Sequence, residues 1–385
     1  MNLPFDSDKL DALLEENRID LLLATSKHNI QYMLGGYRFF FFEWMDAFGM
    51  SRYLPMLGLP RGHLSDGFYV GNPIEKWQQA HEPLWVKGPS NESWTCLEAA
   101  GQAADRIKSL GLDRGRIAIE RAWMPTDAME VLKGKLPDVE WVEAIRVLEE
   151  LRAVKSPEEL TLLREASEAI VESMLAVMRN TPAGTSTREI VESMRREENR
   201  NGLNFEYCLI AAGTSFIRAG SSDVRWEKGE ILSLDSGGNK HGYIGDLCRM
   251  AVMGEPTALM QECLAEVHAI QAAARRPIKA GAIGGGIYEC ALAERDRCDH
   301  RNEVNFTAHG MGLITHEVPH LTDVGFSYPA LHKNTPLEAG MVISIETEIR
   351  NKEVGFVKLE DTVAVTEDGC EAYGDQGREW NVVEG

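Results

Sequence analysis

Basic residues, regularly spaced cysteines and long apolar runs are all scarce in this sequence. Its 40 lysine and arginine residues face 60 acidic ones, which gives a formal net charge of −20 with neutral histidines. Such an excess of negative charge is repelled by phosphate backbones and by anionic lipid surfaces. We therefore expect no binding to nucleic acid and no binding to membranes.

The seven cysteines are odd in number, widely spaced and without a CxxC pair. This pattern predicts neither a disulfide framework nor a zinc ribbon, and buried free thiols in a reducing compartment explain it best. No apolar run reaches the roughly 18 residues of a membrane span. Residues 1–8 also lack the charged and apolar regions of a signal peptide. We expect a cytoplasmic protein.

The chain is long enough for two domains, because its 385 residues exceed the about 250–300 at which single cores stop growing. Up to about residue 150, helical patterns such as 7–17 alternate with strand-like runs such as 19–24. This alternation indicates an α/β domain. Ser156 followed by Pro157 and two glutamates is then typical of a helix start. We place the domains at 1–152 and 153–385.

Residues 37–44 (YRFFFFEW) form an aromatic run in the first domain. Four consecutive phenylalanines cannot all face one core. Either a strand is buried on both faces, or part of the run contacts a partner subunit or lines a pocket. Both interpretations stay open.

Four carboxylates and one imidazole lie in β-rich stretches of the second domain, and we expect each at or beside a strand end. They are Asp235, Asp246, His309, Glu346 and Glu360. A salt bridge would explain one such acid, but no matching set of cations accompanies four, although Lys358 and Arg249 are near in sequence. Hard oxygen ligands suit a pair of divalent cations. Two such ions about 3.5–4 Å apart generate a bridging hydroxide and polarise a substrate carbonyl.

The order of these residues resembles the Xaa-Pro dipeptidase (prolidase), aminopeptidase P and creatinase family of dinuclear metallopeptidases. The matching segments are LDSGGNKHGYIGD, HGMGLITHE, GMVISIE and VKLEDTVAVTEDG, and LLLATSKHNIQYMLGGY is similar to the family's non-catalytic domain. The resemblance implies an α/β N-terminal domain of the creatinase/prolidase N-terminal type, followed by an α+β catalytic domain with the pita-bread fold. The two-domain layout argues against methionine aminopeptidase.

The resemblance also implies a role for each ligand. Asp235 would chelate one metal, Asp246 and Glu360 would bridge both, and His309 and Glu346 would hold the second. Mn²⁺ is our first choice, with Co²⁺, Zn²⁺ or Fe²⁺ as alternatives, since all four share these ligands.

Two further roles are implied for residues near the metals. Glu346 would also be the general base. His316, in the pattern H-G-x-G-x-x-x-H-E, would steady the substrate carbonyl or the tetrahedral intermediate. His320 has no counterpart in the family, and we expect it to be structural.

The sequence departs from the family at the substrate pocket. Arg218 stands closest to a position where the family has a histidine, and its fork suits a substrate carboxylate or polarised carbonyl. Lys358 replaces the usual arginine, and Thr347-Glu348 replace Pro-Gly. We expect Arg218, His316 and Lys358 to bind substrate. These changes put a requirement for proline in doubt more than hydrolysis itself.

These features favour a dinuclear-metal-dependent hydrolase of a small amide or peptide bond, similar to Xaa-Pro dipeptidase or aminopeptidase P, that uses a metal-bridging hydroxide. The alternative is a non-peptidic C–N hydrolase of a small metabolite, such as a compatible solute or a creatine-like amide or amidine. A metal-free creatinase mechanism and a catalytically inactive binding module are both disfavoured, because all five ligands are present. The resemblance also implies a homodimer, with residues 39–42 as a candidate part of its interface.

Overall fold

A computed structural model describes residues 3–49, 51–323 and 330–384. The chain divides into two compact units, Met1–Leu151 and Arg152–Gly385, one residue before the boundary proposed from the sequence. Among the helices of the described ranges, none has both the length and the apolar character needed to span a membrane. The seven cysteines are free thiols in the described part of the chain.

The first unit is a mixed sheet with helices between its strands. Its helices are α1 (Ser7–Glu16), α2 (Lys27–Met33), α3 (Phe40–Glu43), α4 (Met45–Phe48), α5 (Glu75–Gln79), α6 (Cys96–Ser109), α7 (Thr126–Lys135) and α8 (Ile145–Leu151). Its strands are β1 (Leu21–Ala24), β2 (Met56–Pro60), β3 (Phe68–Gly71), β4 (Ser90–Asn91), β5 (Arg116–Ile119) and β6 (Glu140–Glu143). Among the described residues the strand order is β4-β3-β2-β1-β5-β6. β1 is parallel to β5 and antiparallel to β2.

Strand β1 explains why this unit adopts an α/β architecture. All four of its side chains are buried. Leu21 and Leu23 lie in a core with α6, whereas Leu22 and Ala24 lie in a second core with α1. Because side chains alternate along a strand, an uninterrupted apolar run needs a covered sheet on both faces. The predicted α/β class is confirmed.

The aromatic run is helical rather than extended. Phe39 precedes α3, and the side chains of Phe39, Phe41 and Phe42 are buried in the core of the first unit. Phe40 is 44% exposed. The helical turn sends neighbouring rings in different directions, so the run supplies three core residues and one surface residue.

The second unit is a mainly antiparallel sheet with long helices. Its helices are α9 (Pro157–Asn180), α10 (Thr187–Arg200), α11 (Ala258–Arg275) and α12 (Gly286–Arg295). Its strands are β7 (Thr185–Ser186), β8 (Asn204–Ala212), β9 (Arg225–Trp226), β10 (Ile231–Lys240), β11 (Tyr243–Met253), β12 (Val304–Gly310), β13 (Val342–Asn351), β14 (Gly355–Val365), β15 (Cys370–Tyr373) and β16 (Asn381–Val383). Among the described strands of this unit, only the pair β11–β16 is parallel. Short 3₁₀ turns cover Leu331–Lys333 in this unit, and Leu64–Asp66 and Arg121–Trp123 in the first unit.

The large sheet of this unit has the order β12-β13-β14-β11-β10-β8 within the described residues, with β15 beside β14 and β16 beside β11. Helix α9 begins with a capping box between Ser156 and Glu159 and with Pro157 in its first turn, as the sequence predicts. It packs on the sheet through apolar residues such as Ile170 and Met174. Helices and antiparallel strands in separate stretches make this unit α+β.

Candidate metal centre

The pairing register of the large sheet places the predicted ligands on one face in two adjacent rows. The first row, taken as successive Cα partners, is Asp235, Cys248, Glu360 and Glu346. Directly paired residues point to the same face, and their Cβ atoms lie about 4.5–5.5 Å apart. Three of the predicted ligands are therefore brought to one place by backbone pairing alone.

The second row lies two residues further along the strands. Gly237 pairs with Asp246 on one side. On the other side, Ser344 pairs with both Thr362 and His309. A step of two residues keeps the same face of a sheet. Asp246 and His309 consequently join the three carboxylates of the first row.

The turn between β10 and β11 fixes the spacing of the two aspartates. Lys240 pairs with Tyr243, and the two residues between them, His241 and Gly242, have φ values of 50° and 89°. Positive φ at both positions is typical of the type I′ hairpin turn. Such a turn holds the register in which Asp246 pairs with Gly237, two residues beyond Asp235 on the neighbouring strand.

The prediction that the carboxylates mark strand ends is wrong for the first row. β10 continues five residues beyond Asp235, β13 five beyond Glu346 and β14 five beyond Glu360. The strands continue because ladder hydrogen bonds use only the backbone, while internal cations offset the cost of burying these acids. His309 does lie at the end of β12, one residue before its last.

Three of the predicted ligands are arranged to hold a divalent cation. The ligand atoms of Asp246, His309 and Glu360 lie within 4.8 Å of one another, and all three residues are buried. Asp246 Oδ1 and His309 Nε2 are buried without a hydrogen-bond partner among the described residues. A buried polar atom left unpaired is costly, and carboxylate and imidazole ligands suit Mn²⁺, Zn²⁺ or Fe²⁺. The residues present therefore fit a metal ion.

The remaining predicted ligands surround Lys358. Its Nζ lies 2.5 Å from Glu346 Oε2, 2.6 Å from Asp235 Oδ2 and 2.8 Å from Glu360 Oε2. Lys358 is 2% exposed. Its ammonium therefore balances charge inside the carboxylate set, and its assignment to substrate binding stays a prediction.

Arg218 reaches the same edge of the centre. It donates a hydrogen bond to Asp235 Oδ2, and its guanidinium carbon lies 4.7 Å from the ring centroid of Phe356. Its side chain is 25% exposed to solvent. Arg218 is thus placed between Asp235 and solvent, and its predicted contact with substrate stays a prediction.

The charges in this cluster shift one another's pKa values. Burial raises the pKa of Asp235 to about 6, although Lys358 opposes the rise. Burial and the neighbouring Glu360 and Asp235 raise the pKa of Asp246 well above its ordinary value. Burial works against ionisation of Glu360 too, but Lys358 and His309 outweigh it and lower that pKa. Protons and divalent cations consequently compete for the aspartates.

His316 lies against His309 at the exposed side of the centre. Their ring centroids are 3.7 Å apart with planes 21° from parallel, and His316 is exposed. Burial of the stacked ring face, together with the nearby His309, lowers the pKa of His316 to about 4. Its imidazole is neutral at neutral pH. His320 is buried, and its backbone amide donates to His332 Nδ1 at 3.3 Å, which is consistent with a structural role.

Sequence reasoning missed Tyr207. Burial of its phenol and the charge of the nearby Asp246 carboxylate raise its pKa. Gly237 provides the space, because a Cβ there would lie 2.5 Å from the Tyr207 ring. Alternation along the predicted strand 205–211 gives the face of Tyr207, but the pairing of β8 with β10 is needed to place it beside Asp246.

Arg249 lies away from the ligand carboxylates despite its place in the sequence. Its Nη2 is 3.0 Å from Asp361 Oδ1, and its Nη1 donates to the backbone oxygen of Glu360 at 2.8 Å. Asp361 is buried, and Arg275 and Arg378 also pair with it, at 2.9 and 3.1 Å. Because neighbours on a strand face opposite ways, this cluster supports Glu360 from behind the sheet.

Comparisons with known proteins cover both units. The family pattern of metallopeptidase family M24 matches residues 161–367, and that of the creatinase/prolidase N-terminal domain matches residues 7–154. The chain is 25% identical to an Xaa-Pro dipeptidase of Pyrococcus horikoshii over 371 residues, 94% of each protein. It is 26% identical over 375 residues to YqhT of Bacillus subtilis, an uncharacterised peptidase, covering 94% of this chain and 95% of that protein.

Solved structures show the same fold over nearly the whole chain. An Xaa-Pro dipeptidase from Bacillus anthracis superposes with a TM-score of 0.81 at 19% identity, covering 98% of each chain. The prolidase from Pyrococcus horikoshii superposes with a TM-score of 0.78 at 22% identity, covering 97% of this chain and 99% of that one. The predicted pita-bread fold of the second unit is confirmed.

Proposed function

This chain belongs to metallopeptidase family M24 and is a metal-dependent peptidase, and from that premise we propose that it is a dinuclear hydrolase of small peptides or amides. The proposed type is that of Xaa-Pro dipeptidase or aminopeptidase P, with a hydroxide shared by two cations as nucleophile. The observation that carries the proposal is the pair of buried, unbonded ligand atoms, Asp246 Oδ1 and His309 Nε2, within the described residues.

We assign the ligands as follows. Asp246, His309 and Glu360 would hold one cation, since their ligand atoms already converge. Glu346, whose Oε1 lies 3.9 Å from His309 Nε2, would complete the position of that cation, and Asp235 would hold the other cation, with Asp246 and Glu360 shared by both. When bound, such cations supply Lewis-acid activation of water and polarisation of the scissile carbonyl. Mn²⁺ is the proposed metal, because a set of four carboxylates and one imidazole is rich in the hard oxygen ligands that suit it.

Glu346 is the proposed general base. Its side chain is 17% exposed, whereas those of Asp235, His309 and Glu360 are at most 3% exposed. A carboxylate that is both part of the centre and open to solvent can take a proton from water and pass it to the leaving nitrogen. Lys358 Nζ, 2.5 Å from Glu346 Oε2, holds this carboxylate at the edge of the centre.

His316 is proposed to act by hydrogen bonding rather than by proton transfer. Its pKa is lowered to about 4, so the ring is neutral at neutral pH. A neutral imidazole still donates one N–H. Directed at the substrate carbonyl oxygen, that donor would stabilise the negative charge that develops there.

Arg218 is proposed to bind the substrate's carboxylate or carbonyl. Its guanidinium is always charged and has five N–H donors, of which the contact with Asp235 uses a minority. A dipeptide would place its C-terminal carboxylate at this edge of the centre, beside Arg218. The same cation also suits an acidic small metabolite, so a non-peptidic C–N hydrolase is kept as the second candidate.

We also propose that the protein is a cytoplasmic homodimer and that the exposed Phe40 contributes to the interface. An exposed aromatic side chain at 44% is a common interface anchor. Gel filtration with light scattering at micromolar concentration measures the mass directly. A monomer would contradict this part of the proposal.

The deciding experiment is a hydrolysis screen of the Mn²⁺-loaded protein. Its substrates are Xaa-Pro dipeptides, longer Xaa-Pro peptides, and cyclic or acylated amino acids. We expect hydrolysis of at least one class, and complete loss of it in Asp246→Ala. The matched control is Asp223→Ala, which removes an exposed carboxylate of the same unit. Activity that survives Asp246→Ala would refute the dinuclear mechanism.

A further inference from the structure

The loop that carries His316 has an unfavourable backbone. The φ of His316 is +62°, in the left-handed region that costs an L-residue about 1–2 kcal/mol. Such a conformation persists only where the surrounding structure holds it. The contacts of the neighbouring residues therefore decide where the His316 ring lies.

Glu317, the next residue, is held by two buried cations. Its carboxylate accepts from Arg152 Nη2 at 2.9 Å and from Lys155 Nζ at 3.0 Å. The side chains of all three are at most 2% exposed. Burial opposes ionisation of Glu317, but Lys155 and Arg152 outweigh it and lower its pKa. We call this trio the Glu317 clamp.

Two glycines let the clamp approach the strand that carries His309. A Cβ on Gly312 would lie 2.0 Å from Glu317 Oε1, and a Cβ on Gly310 would lie 2.1 Å from the carbonyl carbon of Val318. Gly310 also forms an isolated bridge with Glu317. Any side chain at these positions would push the loop outward. The close approach is what brings the two imidazoles to 3.7 Å.

Stability alone is a weak explanation for such a cluster. Burying three charges is expensive, and an apolar trio of similar volume is often equally stable or more stable. The clamp does, however, hold the residue that directly follows His316 and its unfavourable φ. Directional ionic contacts specify a position in a way that apolar contacts do not.

We propose that the Glu317 clamp is a positioning device for His316. Arg152 and Lys155, from the segment preceding α9, anchor Glu317 and thereby hold the left-handed turn that stacks His316 on His309. The catalytic part of this inference rests on the proposed function of His316, and the structural part does not.

The first test variant is Lys155→Met, which keeps the volume of the chain and leaves Arg152 and Glu317 as a balanced pair. Its matched control is Lys240→Met, which breaks an exposed pair with Glu165 whose atoms are 2.6 Å apart. The second variant, Gly312→Ala, pushes on Glu317 from the opposite side. Its control is Gly369→Ala, where the nearest atom to the new Cβ is 3.9 Å away.

The kinetic readout is the split between kcat and KM with the best substrate of the screen. Misplacement of a catalytic group by about 1 Å costs up to about 100-fold, so we expect kcat to fall about 10- to 100-fold in both variants with KM little changed. In a His316→Ala background, Lys155→Met should cause no further loss, because it acts through the missing ring. Lys155→Arg, which keeps the positive charge, should retain most of the kcat of the unaltered protein.

The structural readout needs no activity. In full-length protein with ¹³C-labelled histidine, the ring signals of His309 and His316 report their stacking through a cross-relaxation peak. We expect that peak to be lost in Lys155→Met and in Gly312→Ala, and kept in both controls. This measurement stands even if the screen finds no substrate, so failure of the proposed function and failure of the clamp are distinguishable.

Two results would overturn the inference. One is an unchanged His309–His316 cross-peak in both variants. The other is a loss of kcat from Lys155→Met that is the same size with and without His316, as expected for a merely structural residue. If Lys155→Met does not fold, Gly312→Ala and Lys155→Arg still decide the question through the cross-peak.

Discussion

Replacing Lys358 by methionine should lower the stability of the metal-free protein and raise its affinity for divalent cations. The ammonium lies 2.5–2.8 Å from three carboxylates, on Asp235, Glu346 and Glu360. Methionine fills a similar volume without the charge. Removing one partner of a buried ionic cluster costs about 3–5 kcal/mol. For a domain of this size that corresponds to a decrease in Tm of about 6–20 °C.

The gain in metal affinity follows from the same contacts. Four carboxylates with Lys358 and Arg218 have a formal charge of −2, and Lys358→Met makes it −3. Unit charges about 4 Å apart interact by about 4 kcal/mol at an effective dielectric constant of about 20. Even a third of that repulsion, about 1.4 kcal/mol, is tenfold in affinity. We expect Mn²⁺ to bind at least about tenfold more tightly to the variant.

Isothermal titration of metal-free protein with Mn²⁺ measures this affinity, and thermal unfolding with and without Mn²⁺ gives an independent check. Mn²⁺ should restore most of the Tm that Lys358→Met loses. Lys358→Arg, which keeps the charge, and Lys240→Met, which removes an exposed lysine, are the controls and should bind Mn²⁺ as the unaltered protein does. Equal or weaker Mn²⁺ binding by Lys358→Met would refute the reasoning.

Three further predictions concern neighbours of the centre. Glu198 is fully buried, Ser236 Oγ donates to it at 2.6 Å, and burial raises its pKa to about 8. An acid whose pKa is raised on folding stabilises the protein below its unfolded pKa, and this contribution is lost as pH rises through about 8. Glu198→Gln should therefore leave the free energy of unfolding in urea nearly unchanged at pH 4 and raise it by up to about 5 kcal/mol at pH 9. Tyr207→Phe removes a hydroxyl from the residue that shares the strand partner Gly237 with Asp246, and we expect Mn²⁺ affinity, measured by titration, to fall about 10-fold. Arg218→Ala should raise KM for a carboxylate-bearing substrate at least about 10-fold in steady-state kinetics, with a smaller effect on kcat.

Each of these three predictions has a result that contradicts it. For Glu198 it is a parallel pH dependence in the variant and the unaltered protein, with the adjacent Glu197→Gln as control. For Tyr207 it is unchanged Mn²⁺ affinity. For Arg218 it is unchanged KM and unchanged turnover, in which case the arginine only neutralises Asp235.

Local signals in the sequence predicted local structure well. Helix α9 spans Pro157–Asn180, as its cap, its early proline and its closing Thr-Pro indicate. Likewise, the burial of both faces of β1 follows from its four consecutive apolar residues. Such elements are determined by neighbours in sequence, so no knowledge of the rest of the chain is needed.

The carboxylates were recognisable by type and order, but their position in the strands was not. A buried acid in mid-strand is unfavourable by itself, so the sequence favours strand ends for Asp235 and Glu346. The strands continue because Lys358 lies among these acids, and that contact joins residues 123 positions apart. A cation supplied from a distant strand leaves no trace in the local pattern.

The Glu317 clamp and Tyr207 were missed for the same reason. The pattern around His316 identifies that histidine, whereas the partners of Glu317 lie more than 160 positions away in sequence. Tyr207 becomes part of the centre only through the pairing of β8 with β10. Long-range register, rather than residue type, is what sequence reasoning from one chain lacks.

The pairing of Cys248 with Glu360 joins strands whose residues are 112 positions apart, and it dictates when the metal can enter. Before that pair forms, Asp235 and Asp246 lie on one hairpin, and Glu346 and Glu360 lie on another. Closing so long a loop is a late and slow event in folding. Before the sheet closes, the chain can therefore present only two of these acids at a time to a metal ion. The complete ligand set forms once the sheet is closed.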